Sequence, residues 1–287
     1  MWLAALSCIS FGALRTGMHF EVLRPSGLQG DSSTIILWVN GGPFTPTSFV
    51  FEATLRELVA RTGTAFAYFD YCGVGRSSCR SASDWNELQA EAAEAVAHTR
   101  TLAPRIFVTA YSVGPLIVPA RALEDVNAVI YLNPMVSRLS SAQSRRRCVR
   151  EAFDTVVSWM PYVVTDMIGN AICTGTSFPP VPSLRAAYEL VRQTALMPRV
   201  NAGYSEALLR NPGGVRRDCI FVVLGQQDKV VDNTAAIAFH YSASATNDTL
   251  VIIPDVGHYF VAYDDQLDKL VQVYNHAVTR CTHAAHS

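Results

Sequence analysis

Six short apolar runs alternate with helix-spaced stretches, in two blocks separated by one long interruption. No other feature constrains the fold as strongly. Thr34 to Val39 (TIILWV) is an unbroken run of the kind found in strands buried on both faces. Phe51, Leu55, Leu58 and Val59 then give Phe49 to Ala60 a helical face. Ala65 to Phe69 predicts the next strand, and Asp84 with Glu87 three residues on forms a capping-box pattern opening a helix over Trp85 to Leu102. Arg105 to Thr109 predicts a strand, followed by a sharp turn at Ser112 and a helix to about Leu123. Ala128 to Leu132 is a further strand, stopped by Asn133-Pro134. The pattern resumes with strand Cys219 to Leu224, helix Thr234 to His240, strand Thr249 to Ile253 and helix Asp265 to Val278. Residues 5–25 read as two more strands joined at Thr16-Gly17, giving eight. Such alternation predicts an α/β fold with a mainly parallel sheet flanked by helices.

The interruption spans residues 135–215, where helical stretches at about Arg147 to Trp159 and Leu184 to Thr194 flank a Pro-rich loop, Phe178 to Pro182. It reads as a helical insertion, so the expected organisation is a core of residues 1–134 and 216–287 carrying a cap of residues 135–215. The 287 residues are 49% apolar and 16% charged, which excludes a disordered chain and supplies a sizeable core. A formal charge of −1 gives no field to attract nucleic acid or an anionic surface. No apolar run reaches the ~18 residues of a membrane-spanning helix.

Seven cysteines (Cys8, Cys72, Cys79, Cys148, Cys173, Cys219, Cys281) are odd in number and irregular in spacing, with no metal-ligand pattern. They read as free thiols in the cytoplasm or another reducing compartment. Trp2 to Leu14 has the length of a signal-peptide apolar region, but no positive charge precedes it, and a first strand is the favoured reading. The sequon Asn247-Asp248-Thr249 fits the secreted alternative.

Three polar residues follow predicted strands and should meet at one sheet edge. Ser112, in Ala110-Tyr111-Ser112-Val113-Gly114, sits on a strand-to-helix turn that presents its hydroxyl above the carboxyl ends of the strands. Asp228 follows strand Cys219 to Leu224, with Asp232 as substitute, and His258 follows strand Thr249 to Ile253. His240 and His276 fall within helices, and His283 and His286 in the tail. The order Ser, Asp, His is that of a nucleophile-elbow hydrolase. Acyl transfer through serine needs two N–H donors for the oxyanion. Val113 is placed to supply one, and the turn Asn40-Gly41-Gly42-Pro43 the other; Pro43 has no N–H, which selects Gly42, with Phe44 second.

These residues, with the segment Asp70-Tyr71-Cys72-Gly73-Val74-Gly75-Arg76-Ser77, resemble the α/β-hydrolase superfamily. The branch most resembled carries HGGP-type loops, as in proline iminopeptidases and related serine aminopeptidases and esterases. The resemblance implies an α/β-hydrolase fold with a cap, no cofactor and no metal. The usual histidine before Gly-Gly is Asn40 here, the elbow opens on Ala110, and Phe44 replaces the glycine after Gly-Gly-Pro. The expected activity is cleavage of a small or lipid-like carboxylic ester, with Phe44, Trp159 and Tyr162 among the apolar residues available to line an acyl pocket. The alternatives are an aminopeptidase acting on short peptides, with Glu151, Asp154, Asp166, Glu189 and Glu206 as candidate amine partners, and a non-catalytic protein of the same fold.

Overall fold

The computed structural model describes residues 8–10, 17–25, 31–41, 47–138, 198–228, 230–258 and 264–282. Among the described residues eight strands form one sheet: β1 (Cys8–Ser10), β2 (His19–Leu23), β3 (Asp31–Val39), β4 (Thr64–Asp70), β5 (Arg105–Tyr111), β6 (Ala128–Leu132), β7 (Ile220–Gly225) and β8 (Leu250–Ile253). Their spatial order is β1-β2-β4-β3-β5-β6-β7-β8. β1 pairs antiparallel with β2, and β2 with β4; every later pairing is parallel. The chain leaves β3 towards β4 and returns on the other side as β5, so connections diverge at the carboxyl ends of β3 and β5. That crevice is where open α/β sheets bind ligands.

Ile35 to Val39 in β3 are fully buried, which requires cover on both faces. The α-helices among the described residues are α1 (Thr47–Val50), α2 (Glu52–Thr62), α3 (Trp85–Leu102), α4 (Gly114–Ile117), α5 (Pro198–Glu206), α6 (Asn233–Ala243) and α7 (Asp264–Cys281). Tyr274 of α7 accepts a hydrogen bond from Thr109 of β5 at 3.2 Å. Tyr131 of β6, register partner of the next residue Ala110, packs its ring on Phe239 of α6. Adjacent strand residues point to opposite faces, so α6 and α7 cover opposite sides of the sheet.

Two helices differ from the sequence expectation. Residues after Ser112 form only the four-residue α4, because Val118 turns extended (φ −69°, ψ 115°) ahead of Pro119, and Ala120–Leu123 is a separate 3₁₀ turn. A residue before proline is driven out of the helical region. The single helix expected over Phe49 to Ala60 is two, α1 and α2, meeting at Phe51, whose ring packs against both Trp38 and Tyr111. The capping box of α3 is also modified. Asp84 accepts from the Glu87 amide at 2.9 Å, but Glu87 returns its bond to the Ser83 amide, at 2.7 Å.

The free-thiol reading fails for four cysteines. Cys72 and Cys79 are disulfide-bonded across the loop after β4, and Cys219, ahead of β7, is bonded to Cys281 at the end of α7. Tertiary approach, which spacing does not encode, pairs them: the Cα atoms are 4.9 and 5.9 Å apart. Cys219 and Cys281 are 62 residues apart, so their bond closes a long loop in the unfolded chain. Replacing both by serine is expected to cost ~2–4 kcal/mol. Calorimetry of the oxidised wild type and the double variant should show a clearly lower midpoint for the variant; equal midpoints would remove the bond from the stability of the fold.

His240, 1% exposed in α6, bonds through Nε2 to Thr249 Oγ1 at 2.9 Å, and burial pushes its pKa down. The unfolded imidazole titrates near ~6.5 and the folded one lower, so between these values the unfolded chain holds more protons. Stability present above that pH should therefore fall as pH drops through this window. His240→Gln should flatten the fall, measured as urea midpoints at about pH 7.5 and about pH 5. An equal fall in both proteins would assign it to other groups.

Candidate active site

β5 delivers Ser112 into a left-handed turn, φ 56°, immediately before α4. Few non-glycine residues adopt this conformation, and here the surroundings hold it. The Ser112 amide donates to Leu132 O at 3.0 Å, and the Met135 amide donates to Ser112 O at 2.7 Å. Space around the turn is fully used. A Cβ on Gly41, in the loop after β3, would lie 2.4 Å from Ser112 Cβ, and one on Gly114 would lie 2.9 Å from Val39 O. Glycine at both positions lets the β3 loop press against the serine turn.

The three strand ends then converge. His258 Nε2 lies 2.9 Å from Ser112 Oγ, and Nδ1 lies 2.7 Å from Asp228 Oδ2. Asp228 is anchored through its other oxygen, which accepts from the Val230 amide at 2.7 Å and the Val231 amide at 3.2 Å. Ser112 is 7% exposed and His258 5%, so the relay is shielded from water. Asp232 is not in it: its carboxylate accepts from the Thr234 and Ala235 amides and caps α6. His240 bonds Thr249, and His276 stands on α7, 3.9 Å from Asp248. Val113 follows Ser112 as the cap residue of α4.

Gly42, Phe44, Trp159 and Tyr162 lie outside the described residues, as do His283, His286, Glu151, Asp154, Asp166 and Glu189 and both helices expected in the insertion. Glu206 is exposed and lines a cavity of about 780 Å³ between α3, the segment after α4 and α5; Ser112, Asp228 and His258 are not among its walls. The Asp70 segment fastens the frame. Its carboxylate accepts from the Ser48 amide at 3.1 Å, from the Ser48 hydroxyl, and from the Arg76 amide at 3.0 Å, tying α1 to the loop after β4. Among the described residues no group of three or more His, Cys, Asp or Glu could hold a metal, and no helix is long and apolar enough to cross a membrane.

Two residues at the site were not singled out in sequence. Tyr111 donates its hydroxyl to His258 O at 3.1 Å, its ring centroid 5.3 Å from the imidazole. Asn133, which the sequence marks only as a strand stop, is fully buried with φ 41° and hydrogen-bonds to the carboxyl end of β7 and the loop after β8. The available signal was a residue type that tolerates left-handed backbone, placed at the carboxyl end of the strand beside Ser112.

The sheet is an open, mainly parallel α/β sheet with Ser112, His258 and Asp228 together at one edge, and comparison with known proteins gives its class. Residues 36–273 match the family model described as "Alpha/beta hydrolase family". The chain belongs to the α/β-hydrolase family. No curated protein matches the sequence. Solved structures share the fold at low identity. A proline iminopeptidase-related protein from Thermus thermophilus is 16% identical with a TM-score of 0.61, over 96% of this chain and 98% of that one. Proline iminopeptidase from Mycobacterium smegmatis is 14% identical with a TM-score of 0.60, over 96% and 100%. A thermophilic esterase from Thermogutta terrifontis is 17% identical with a TM-score of 0.54, over 97% and 99%.

Proposed function

We propose that the protein is a serine hydrolase that cleaves a carboxylic ester through an acyl-enzyme. In this mechanism His258 takes the Ser112 proton as Oγ attacks the ester carbonyl, and Asp228 holds the imidazole and offsets its positive charge. The amides of Val113 and Gly42 receive the oxyanion. His258 then protonates the departing alkoxide, and water, activated by the same imidazole, releases the acid. The observation that carries this reading is the Ser112–His258–Asp228 relay, with heavy-atom distances of 2.9 and 2.7 Å. They fall within the range for an activated nucleophile and its oriented base.

Residues 135–215 act as a cap in this reading, and Phe44, Trp159 and Tyr162 supply apolar contacts to the acyl group. An ester is preferred to a peptide because an aminopeptidase needs a carboxylate facing the substrate amine. Glu206, the described candidate for that role, lines a cavity whose walls do not include the relay. The Cys72–Cys79 and Cys219–Cys281 disulfides favour an oxidising compartment over the reducing one expected from cysteine spacing.

The test is fluorophosphonate labelling, followed by a panel of p-nitrophenyl esters of increasing chain length and aminoacyl p-nitroanilides. Labelling with turnover of the esters alone supports the proposal. Turnover of the anilides alone would replace it with the aminopeptidase reading, and a folded protein that neither labels nor turns over either class would sink both.

A further inference from the structure

Every member of the relay is tied to one four-residue turn, Leu132 to Met135, at the end of β6. Leu132 O and the Met135 amide hold the two backbone ends of Ser112. Between them Asn133 reaches the other two loops. Its amide donates to Val223 O at 2.8 Å. Its side-chain Oδ1 accepts from the Gly225 amide at 2.7 Å, and Nδ2 donates to His258 O at 2.8 Å and to Gly257 O at 3.2 Å. Gly225 O in turn accepts from the Asp228 amide at 3.1 Å. One carboxamide thus grips the base of the Asp228 turn with its oxygen and the carbonyl of His258 with its nitrogen. Tyr111 bonds the same His258 carbonyl from beneath.

We infer that Asn133 is a positioning residue: it holds His258, through the backbone carbonyl, in register with both Ser112 and Asp228. This rests on the proposed function of Ser112 as nucleophile. The residue type follows from the task. The side chain must donate in one direction and accept in the other, which a carboxamide does and a carboxylate or an alkyl group does not. It must also tolerate a left-handed backbone, which asparagine does among non-glycine residues. The loops it joins have no slack, since a Cβ on Gly225 would lie 2.4 Å from Gly257 O and 2.6 Å from Val256 O. Losing the carboxamide removes a donor from Gly257 O and one from His258 O, where the Tyr111 hydroxyl remains, together with the acceptor of the Gly225 amide, and frees the His258 loop to shift. A misplacement of about 1 Å at a reacting group can lower rate by about 10²-fold.

Two variants separate positioning from simple support of the fold. Asn133→Gly keeps the backbone conformation and removes all three side-chain bonds. Asn133→Asp keeps the shape and the acceptor for Gly225 and turns an oxygen towards the two carbonyls. Each is compared with wild type by thermal midpoint, fluorophosphonate labelling rate, kcat and KM on a p-nitrophenyl ester, and the downfield proton resonance of the His258–Asp228 hydrogen bond. In folded variants, labelling rate and kcat should fall by about 10²-fold with KM little changed, and the imidazole resonance should broaden or vanish. Folded variants with a lower midpoint but wild-type labelling, kcat and resonance would overturn the inference. Should neither variant fold, Asn133→Ser, whose side chain is one atom shorter and cannot span both loops, is judged by the same readouts, with the same result overturning the inference. A wild type that fails to label, or a Ser112→Ala variant that labels equally, would instead sink the reading of Ser112. The resonance would then decide the role of Asn133 by itself.

Discussion

Ser112→Ala is expected to lower ester turnover on the order of 10⁶-fold while leaving the fold intact. Without Oγ there is no covalent nucleophile, and His258 has no proton to take, so two members of the relay are silenced by one substitution. Alanine keeps the Cβ that already sits in the left-handed turn, so it adds no backbone strain at φ 56°. The bonds that shape the turn, from the Ser112 amide to Leu132 O and from the Met135 amide to Ser112 O, are main-chain and survive. The thermal midpoint should accordingly stay close to wild type. Turnover measured with a p-nitrophenyl ester, beside fluorophosphonate labelling and a melting curve, checks the pair of statements. Residual turnover within about 10²-fold of wild type would place the nucleophile elsewhere. A collapsed midpoint would show that the hydroxyl supports the fold.

Much of this site could be read from the chain because each feature has a local cause. β6 begins and ends where the apolar run Ala128 to Leu132 does, and α3 spans Trp85–Leu102 as its cap and apolar spacing require. Ser112, Asp228 and His258 could be picked out as polar residues directly after strands, and a parallel sheet brings such positions to one edge. What escaped was set by tertiary approach. Nothing near Cys219 announces Cys281, which reaches it only once α7 has packed. Asn133 looked like a stop signal because its bonds go to Gly225, Gly257 and His258, all far along the chain. Pro119 is the exception, a local signal with a local effect: it ends α4 at Ile117, whereas apolar content suggested a helix to Leu123. The Asp84–Glu87 cap shows the limit of motif reading, since the pattern was right and one of its two partners was not.

Asp228→Asn should lower kcat by about 10⁴-fold, and the reason is legible in the anchoring of its carboxylate. Two main-chain donors, from Val230 and Val231, point at Oδ1. An asparagine at this position keeps those bonds only by placing its oxygen there, which turns its NH₂ towards His258 Nδ1. An NH₂ cannot accept the Nδ1 proton, so the imidazole must carry its proton on Nε2, facing Ser112 Oγ, and can no longer act as a base. The flipped amide would restore the acceptor for Nδ1 but set two donors against a third, at the cost of both main-chain bonds. Asp232, four residues on, provides the control. It caps α6 by accepting from the Thr234 and Ala235 amides, and asparagine caps a helix about as well as aspartate. Asp232→Asn should therefore leave kcat unchanged, and Asp232→Ala should cost ~1 kcal/mol of stability with no loss of turnover by the folded protein. The decisive comparison is the ratio of kcat losses in the two Asn variants. A loss of similar size at both positions would mean that the loop, and not the charge and orientation of Asp228, is what catalysis requires.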